Sequence, residues 1–369
     1  MTAEDIAGRF ALVDELVGDR AEAWDETGLL PVEMLRKLGA AGLLCAQIPP
    51  RYGGLGLTSL QNGELTASVG ARCGSVRSFM TSHGMAAWAI QRLGDASLHD
   101  AYLPPLTSGG LAAVGFSEPA AGSDLSAMQT RISRAGDSIV IDGHKIWVTG
   151  ARYADYLVIF GRYGQDAGAV VVPADAPGVR IEPIPDPLGC RAAGHASVWL
   201  EGVRLPEASV LGGGQDLALL VTTALAYGRI SVAWGCVGLL RGCLRAAAGH
   251  AKTREQFGAP IGQHQLVARH LAELLTAEQV ATRCCEHASR CWDAGSPEAV
   301  VAAVLAKYVS SGRAAAGAAV ALQVMASAGA HAGHIVARAY RDAKLMEIIE
   351  GTSEICQLLL AEHVLTAPA

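Results

Sequence analysis

The spacing of apolar residues changes twice along these 369 residues, and that double change leaves few architectures open. Up to about residue 103 apolar positions recur three and four apart, as in Val32, Leu35, Leu38 and in Met85, Trp88, Ala89, with breaks at Pro49-Pro50 and Gly53-Gly54. This is the helical period. From Leu111 to about Val210 the pattern shortens to β-rich runs at Ser138–Ile141, Tyr156–Phe160, Ala169–Val172 and Ser197–Leu200. Asp142-Gly143, Pro173, Pro177-Gly178 and the prolines from Pro183 to Pro187 punctuate them, as turns of an antiparallel barrel or sandwich would. Beyond Gly212-Gly213-Gly214, read as a flexible joint, Ala- and Leu-rich helices resume, with breaks at Gly258-Ala-Pro260 and Gly295-Ser-Pro297. The expectation is an α+β multidomain fold. It comprises an N-terminal α-helical domain over residues 1–110, a central antiparallel β domain over 111–212 and a C-terminal helical domain over 213–369.

Charge and composition narrow the function. Lys and Arg number 29 against 35 Asp and Glu, so there is no basic excess to neutralise nucleic-acid phosphates. Hydrophobic residues make up 51% of the chain, which raises the question of a membrane span. Arg313 to Arg338 is the longest candidate, but Gln323, Ser327, His331 and His334 interrupt it, and it reads as a buried helix instead. The first residues carry Glu4, Asp5, Asp14 and Glu15, unlike a secretory or transit segment. Nine scattered cysteines lack the spacing of a disulfide scaffold, so reduced thiols and a cytoplasmic location are expected.

Generic site signals are weak. Arg51-Tyr-Gly-Gly-Leu-Gly56 is Gly-rich, but Pro49-Pro50 precede it where a dinucleotide-binding turn needs a strand. Cys284, His287 and Cys291 share one helix face, yet they read as a buried stripe, and no metal is expected. His83, His331 and His334 read as structural. Glu350 is more informative, because Ile348, Ile349 and Ile355 surround it and Gly351, which permits a positive φ and ends a helix, follows it. Glu350 is then either an exposed acid near a helix end or a desolvated base in an apolar pocket. Spacing leaves both open.

Four motifs now occur in order: Phe116-Ser-Glu-Pro-Ala-Ala-Gly-Ser-Asp124, Asp142-Gly-His-Lys-Ile-Trp-Val-Thr149, Arg254-Glu-Gln-Phe-Gly258 and Ile349-Glu-Gly-Thr-Ser353. Together with Ile48–Gly56 and Leu103–Gly109 they resemble the acyl-CoA dehydrogenase family over almost the whole chain. The resemblance implies a C-terminal four-helix bundle and an FAD cofactor. Phe116, Ser117, Gly122 and Ser123 would meet the flavin and pyrophosphate, Trp147 and Thr149 would lie against the isoalloxazine, and Gln323 and Thr352 would complete the FAD contacts. Arg254 and Phe257 would reach FAD bound by a neighbouring subunit, which implies a homo-oligomer, a dimer or a tetramer.

By the same resemblance Glu350 is the base that removes the proton next to a thioester carbonyl as hydride leaves the adjacent carbon. Ser123, Arg229 and Gly351 would contact substrate. Some members carry the base on another helix just before an Arg; the matching pair here is Gly228-Arg229, and glycine cannot act. One departure is Gln323-Val-Met-Ala-Ser-Ala-Gly329, where many members have paired glycines at the positions of Ala326 and Ser327. The implied partners are an acyl thioester of CoA or of an acyl carrier protein, and an electron acceptor such as an electron-transfer flavoprotein or oxygen. The high Ala and Gly usage suggests relatives that prepare hydroxymalonyl or methoxymalonyl extender units for polyketides. A flavin monooxygenase or oxidase on the same scaffold is the alternative, and such relatives generally lack the glutamate.

Overall fold

A computed structural model of the chain describes residues 3–366. Residues 1, 2 and 367–369, at the outer ends of the expected first and third domains, lie outside the described residues. Six helices come first: α1 (Ala3–Leu16), α2 (Ala21–Thr27), α3 (Val32–Ala40), α4 (Ser59–Gly70), α5 (Gly74–Leu93) and α6 (Ala96–Thr107). Their starts follow local chemistry. Thr58 and Gln61 form a reciprocal capping box at α4, and Asp95 accepts from the Leu98 N–H at α6, caps worth about 1 kcal/mol each. Pro49-Pro50 admits only a 3-10 turn, Pro50–Tyr52.

The central segment forms β1 (Ala112–Gly115), β2 (Arg131–Ala135), β3 (Ser138–Val148), β4 (Tyr156–Tyr163), β5 (Asp166–Pro173), β6 (Val179–Pro183), β7 (Ala196–Pro206) and β8 (Val210–Gln215). They make one eight-stranded sheet in the order β6-β7-β3-β2-β4-β5-β8, with β1 also on β4. Most ladders are antiparallel, as the turn spacing predicts, but β1 and β2 both run parallel to β4. Gly212 to Gly214 is not a joint. These glycines belong to β8, whose Val210 and Leu211 pair with Val170 and Ala169. The lack of a side chain serves packing there, since a Cβ on Gly213 would come within 3.0 Å of both Val210 and Tyr163.

The remainder is helical: α7 (Leu217–Thr253), a small turn of two-residue strands β9 (Glu255–Gln256) and β10 (Ala259–Pro260), then α8 (Gln265–Asp293), α9 (Ala299–Met325), α10 (Ile335–Ile348) and α11 (Ser353–Thr366). Small residues fill the bundle core, among them Ala233, Cys236, Ala281, Cys285, Ala303 and Ala318. They let helix axes approach: a Cβ on Gly63 of α4 would fall 2.1 Å from Trp234 Nε1 of α7. Among the described residues one helix, Leu219–Thr253, is long and apolar enough to cross a membrane, and it is buried as the central helix of the bundle. Arg313–Arg338, the segment singled out by sequence, is not one helix. It breaks at the 3-10 turn Ala326–Gly329, where Ala326 takes φ 49° and the chain reverses into α10.

Candidate active site

Where α7, α9, α11 and the loop after β1 meet, a cavity of about 920 Å³ opens. Seven of the residues singled out from sequence line it: Phe116, Ser117, Gly122, Ser123, Arg229, Glu350 and Gly351.

Glu350 sits beyond α10 and not at its last turn. The helix ends at Ile348, Ile349 is extended, and Glu350 itself takes φ 56° before Gly351 at 92°. The expected glycine stop is therefore preceded by a left-handed glutamate, a conformation that costs about 1–3 kcal/mol unless its surroundings impose it. Two buried cations do so. Lys307 of α9 donates to the carbonyls of Glu347 (3.3 Å) and Gly351 (2.6 Å), and Arg229 Nε of α7 donates to the carbonyl of Glu350 (3.1 Å). Positive groups at a helix C-terminus also oppose its dipole.

The carboxylate then lies over Gly228, where a Cβ would come within 2.5 Å of Glu350 Oε2 and 2.6 Å of Met85 Sδ. Oε2 is buried and has no hydrogen-bond partner. Burial pushes the Glu350 pKa up to about 7, against the downward pull of Arg229, Lys307 and Arg77. Its backbone N–H has no partner among the described residues and remains a free donor. An unpaired carboxylate of this strength on a cavity wall can take a proton at neutral pH.

On the β side, a buried ion pair shapes the loop that carries Phe116 and Ser117. Lys145 Nζ of β3 donates to Glu118 Oε1 (2.7 Å) and to the Phe116 carbonyl (3.0 Å). Glu118 also accepts the N–H groups of Gln129 and Thr130. Burial raises the Glu118 carboxyl, but Lys145 and these donors more than offset it and hold it below the usual range; burial lowers Lys145 to about 8. Both are ionised at neutral pH.

Two residues further on, the β3–β7 pairing shifts register, and Trp147 takes φ 56° with half its surface exposed. Thr149 Oγ1 lies 3.0 Å from His195 Nδ1. Burial, with Arg77, lowers the His195 pKa to about 4, and its Nε2 is buried without a partner. Bulges that re-aim side chains in this way cluster beside functional sites.

The other expected residues lie elsewhere. Thr352 follows Gly351 outside the cavity lining, and its hydroxyl accepts the Ile355 N–H at the start of α11. Arg254 and Phe257 project from the turn after α7, with Phe257 97% exposed, and Gln323 borders a separate hollow beside Tyr340. Within one chain these three do not join the cavity. Glu118, Lys145 and Lys307 were not singled out from sequence. Lys307 had a readable signal: it is a lone charge inside the apolar run Ala299–Val309.

An exposed aromatic at a strand bulge, a glycine-lined entrance where a Cβ on Gly122 would meet nothing, an apolar-walled cavity and an isolated base suit a flat redox cofactor beside an acidic C–H. The class is a flavin-dependent dehydrogenase. Residues 9–110, 113–203 and 218–365 match the N-terminal, middle and C-terminal domain models of acyl-CoA dehydrogenase, and the chain belongs to that family. It is therefore an FAD-dependent oxidoreductase of acyl thioesters. A structure of FkbI, for biosynthesis of the methoxymalonyl extender unit of the Fk520 polyketide, is 60% identical, with TM-score 0.94 over 98% of this chain and 100% of that one. The probable acyl-CoA dehydrogenase YngJ of Bacillus subtilis is 34% identical over 95% of this chain and 94% of its own length. A glutaryl-CoA dehydrogenase from Mycobacterium smegmatis in complex with FADH2 is 25% identical, with TM-score 0.92 over 100% and 96% of the two chains.

Proposed function

We propose that the protein oxidises a short, polar acyl group held on the phosphopantetheine arm of an acyl carrier protein, with Glu350 as the base. The observation that carries the base is its buried, partnerless Oε2 on the cavity wall, with a pKa near 7. Glu350 takes the proton from the carbon next to the thioester carbonyl, and its own free N–H is placed to donate to the carbonyl oxygen as negative charge grows there. When bound, FAD supplies the acceptor for the hydride leaving the next carbon. Phe116, Ser117, Gly122, Ser123, Trp147, Thr149 and Thr352 would hold the FAD of their own subunit, and Arg254, Phe257 and Gln323 that of a neighbour in a homo-oligomer. Ser123, Arg229 and Gly351 would face substrate. The division into units at 1–110, 111–212 and 213–369 and a cytoplasmic location, which nine free cysteines suit, complete the reading.

Two observations favour the carrier-protein tether. The FkbI relative serves polyketide extender-unit synthesis. The cavity lining includes Asp216, Glu298 and Glu362 and no lysine, and its arginine, Arg229, is engaged with the Glu350 carbonyl and not presented to the phosphates of CoA. The test is anaerobic bleaching of the flavin by one acyl group presented on CoA and on a carrier protein. Faster bleaching by the carrier form at lower concentration is expected. Equal or faster bleaching by the CoA form across short chains returns the protein to CoA-linked oxidation.

A further inference from the structure

Beside the cavity, three metal-ligating side chains converge where α8 gives way to α9. His287 and Cys291 are one turn apart on α8, with Nε2 and Sγ 3.7 Å apart. Glu298, just ahead of α9, closes the group, and one donor atom from each residue lies within 4.8 Å of the other two. We propose that His287, Cys291 and Glu298 form a binding site for a thiophilic divalent cation of the zinc class at the rim of the cavity.

The distances carry the argument. An ion with bonds of about 2.0–2.3 Å to nitrogen, oxygen and sulfur in tetrahedral geometry sets its ligands about 3.3–3.6 Å apart. The His287–Cys291 pair, at 3.7 Å, stands within about 0.1 Å of that spacing. Glu298 completes three ligands with an inward movement on the order of 1 Å, within the reach of a carboxylate rotamer. Nothing competes for it, since among the described residues the Glu298 carboxylate has no hydrogen-bond or ion-pair partner. Cys291 is only 7% exposed, which shields a thiolate–metal bond from solvent, whereas His287 and Glu298 are exposed and leave a path of entry. The ligand set is nitrogen, sulfur and oxygen, which suits zinc and its soft congeners and disfavours calcium or magnesium.

The site spans the connection between α8 and α9, so a bound ion would tie the two helices together. Pro297, Glu298, Val300, Val301 and Val304 line the cavity on that side. Occupancy would therefore stiffen one wall of it, with the fourth coordination position left to water. The face read from sequence as Cys284, His287 and Cys291 is thereby revised: Cys284 lies outside the cluster and Glu298 replaces it.

The inference is independent of the acyl carrier. The test is calorimetric titration of the flavin-loaded enzyme, stripped with chelator, with Zn²⁺, alongside Cd²⁺ difference spectra that report a thiolate–metal bond. One ion per chain is expected, with the thiolate band present and affinity rising with pH because Cys291 gives up its proton on binding. Cys291→Ser should abolish the band, Cys291→Ser and Glu298→Gln should each weaken binding at least tenfold, and Cys284→Ser should leave binding unchanged. Retained flavin absorbance shows that each variant is folded. Absence of stoichiometric binding, or binding by either Cys291→Ser or Glu298→Gln as tight as that of the unaltered protein, overturns the proposal.

Discussion

At the scale of single residues the chemistry turns on what surrounds one carboxylate. Glu350 has a raised pKa because burial removes water and Oε2 gains no donor in return. Glu350→Gln should keep the flavin colour and slow flavin reduction by bound thioester by about 10²–10⁴, measured by stopped flow. Only the ionised form accepts a proton, so reduction by the unaltered enzyme should rise with pH through about 7, the value to which burial pushes Glu350. Stability carries the opposite sign. An unfolded chain releases this proton near 4.5 and the folded one near 7, so stability falls over that interval as pH rises, and urea midpoints of Glu350→Gln should show a flatter profile. Gly228 is the companion. Gly228→Ala places a methyl 2.5 Å from Oε2, too close for both to stay, and should cost about 10²-fold in reduction rate through displacement of the carboxylate, with FAD content unchanged. Substitution with retained rate would show that the carboxylate has another resting place.

At the scale of elements, buried cations decide how helix and strand ends are presented. Lys145 reaches from β3 to Glu118 and the Phe116 carbonyl, so the loop carrying Phe116 and Ser117 cannot drift from the sheet. Lys145→Met would leave Glu118 buried without its counter-ion, at a cost of about 3–5 kcal/mol, and should lower the thermal midpoint and FAD retention together. The paired change Glu118→Gln with Lys145→Met should recover part of the loss. Lys307 plays the same part at the end of α10. Lys307→Met should cost about 1.5–3 kcal/mol, the worth of a hydrogen bond to a charged group, and should depress flavin reduction more than FAD binding, because it frees the backbone at Glu350. Sequence periodicity locates these helices and strands well but is blind to such pairs, since partners 27 and 44 residues apart meet only after folding.

At the scale of the whole molecule, the residues proposed for FAD do not all meet in one chain. Phe116, Ser117, Gly122 and Ser123 line the cavity, whereas Arg254, Phe257 and Gln323 stand exposed on the same chain's outer surface. Phe257, 97% exposed at φ 51°, meets only the edge of His264 among the described residues, and on the proposed reading a neighbouring subunit would supply the rest of its packing. Arg254→Ala should therefore weaken FAD retention and shift the assembly toward smaller species, with added FAD restoring both, as sedimentation with flavin absorbance would show. A monomer that retains FAD fully would refute the shared site.

What the sequence determined by itself is whatever local periodicity and motif order encode. The helix, strand, helix succession is written in spacings of 3.6 and 2, and the order of Phe116–Asp124, Asp142–Thr149, Arg254–Gly258 and Ile349–Ser353 carries the resemblance to the family. Tertiary structure decided the rest. Gly212–Gly214 looks like a joint until β5 pairs with the residues on either side of it, and Arg313–Arg338 looks like one helix until Ala326 turns it. The raised pKa of Glu350 is likewise a tertiary property. An acid after two isoleucines reaches a pKa near 7 only when Gly228 makes room, Lys307 and Arg229 hold the backbone around it, and burial withholds water from Oε2. Desolvation is set by every neighbour at once, and no stretch of sequence contains them all.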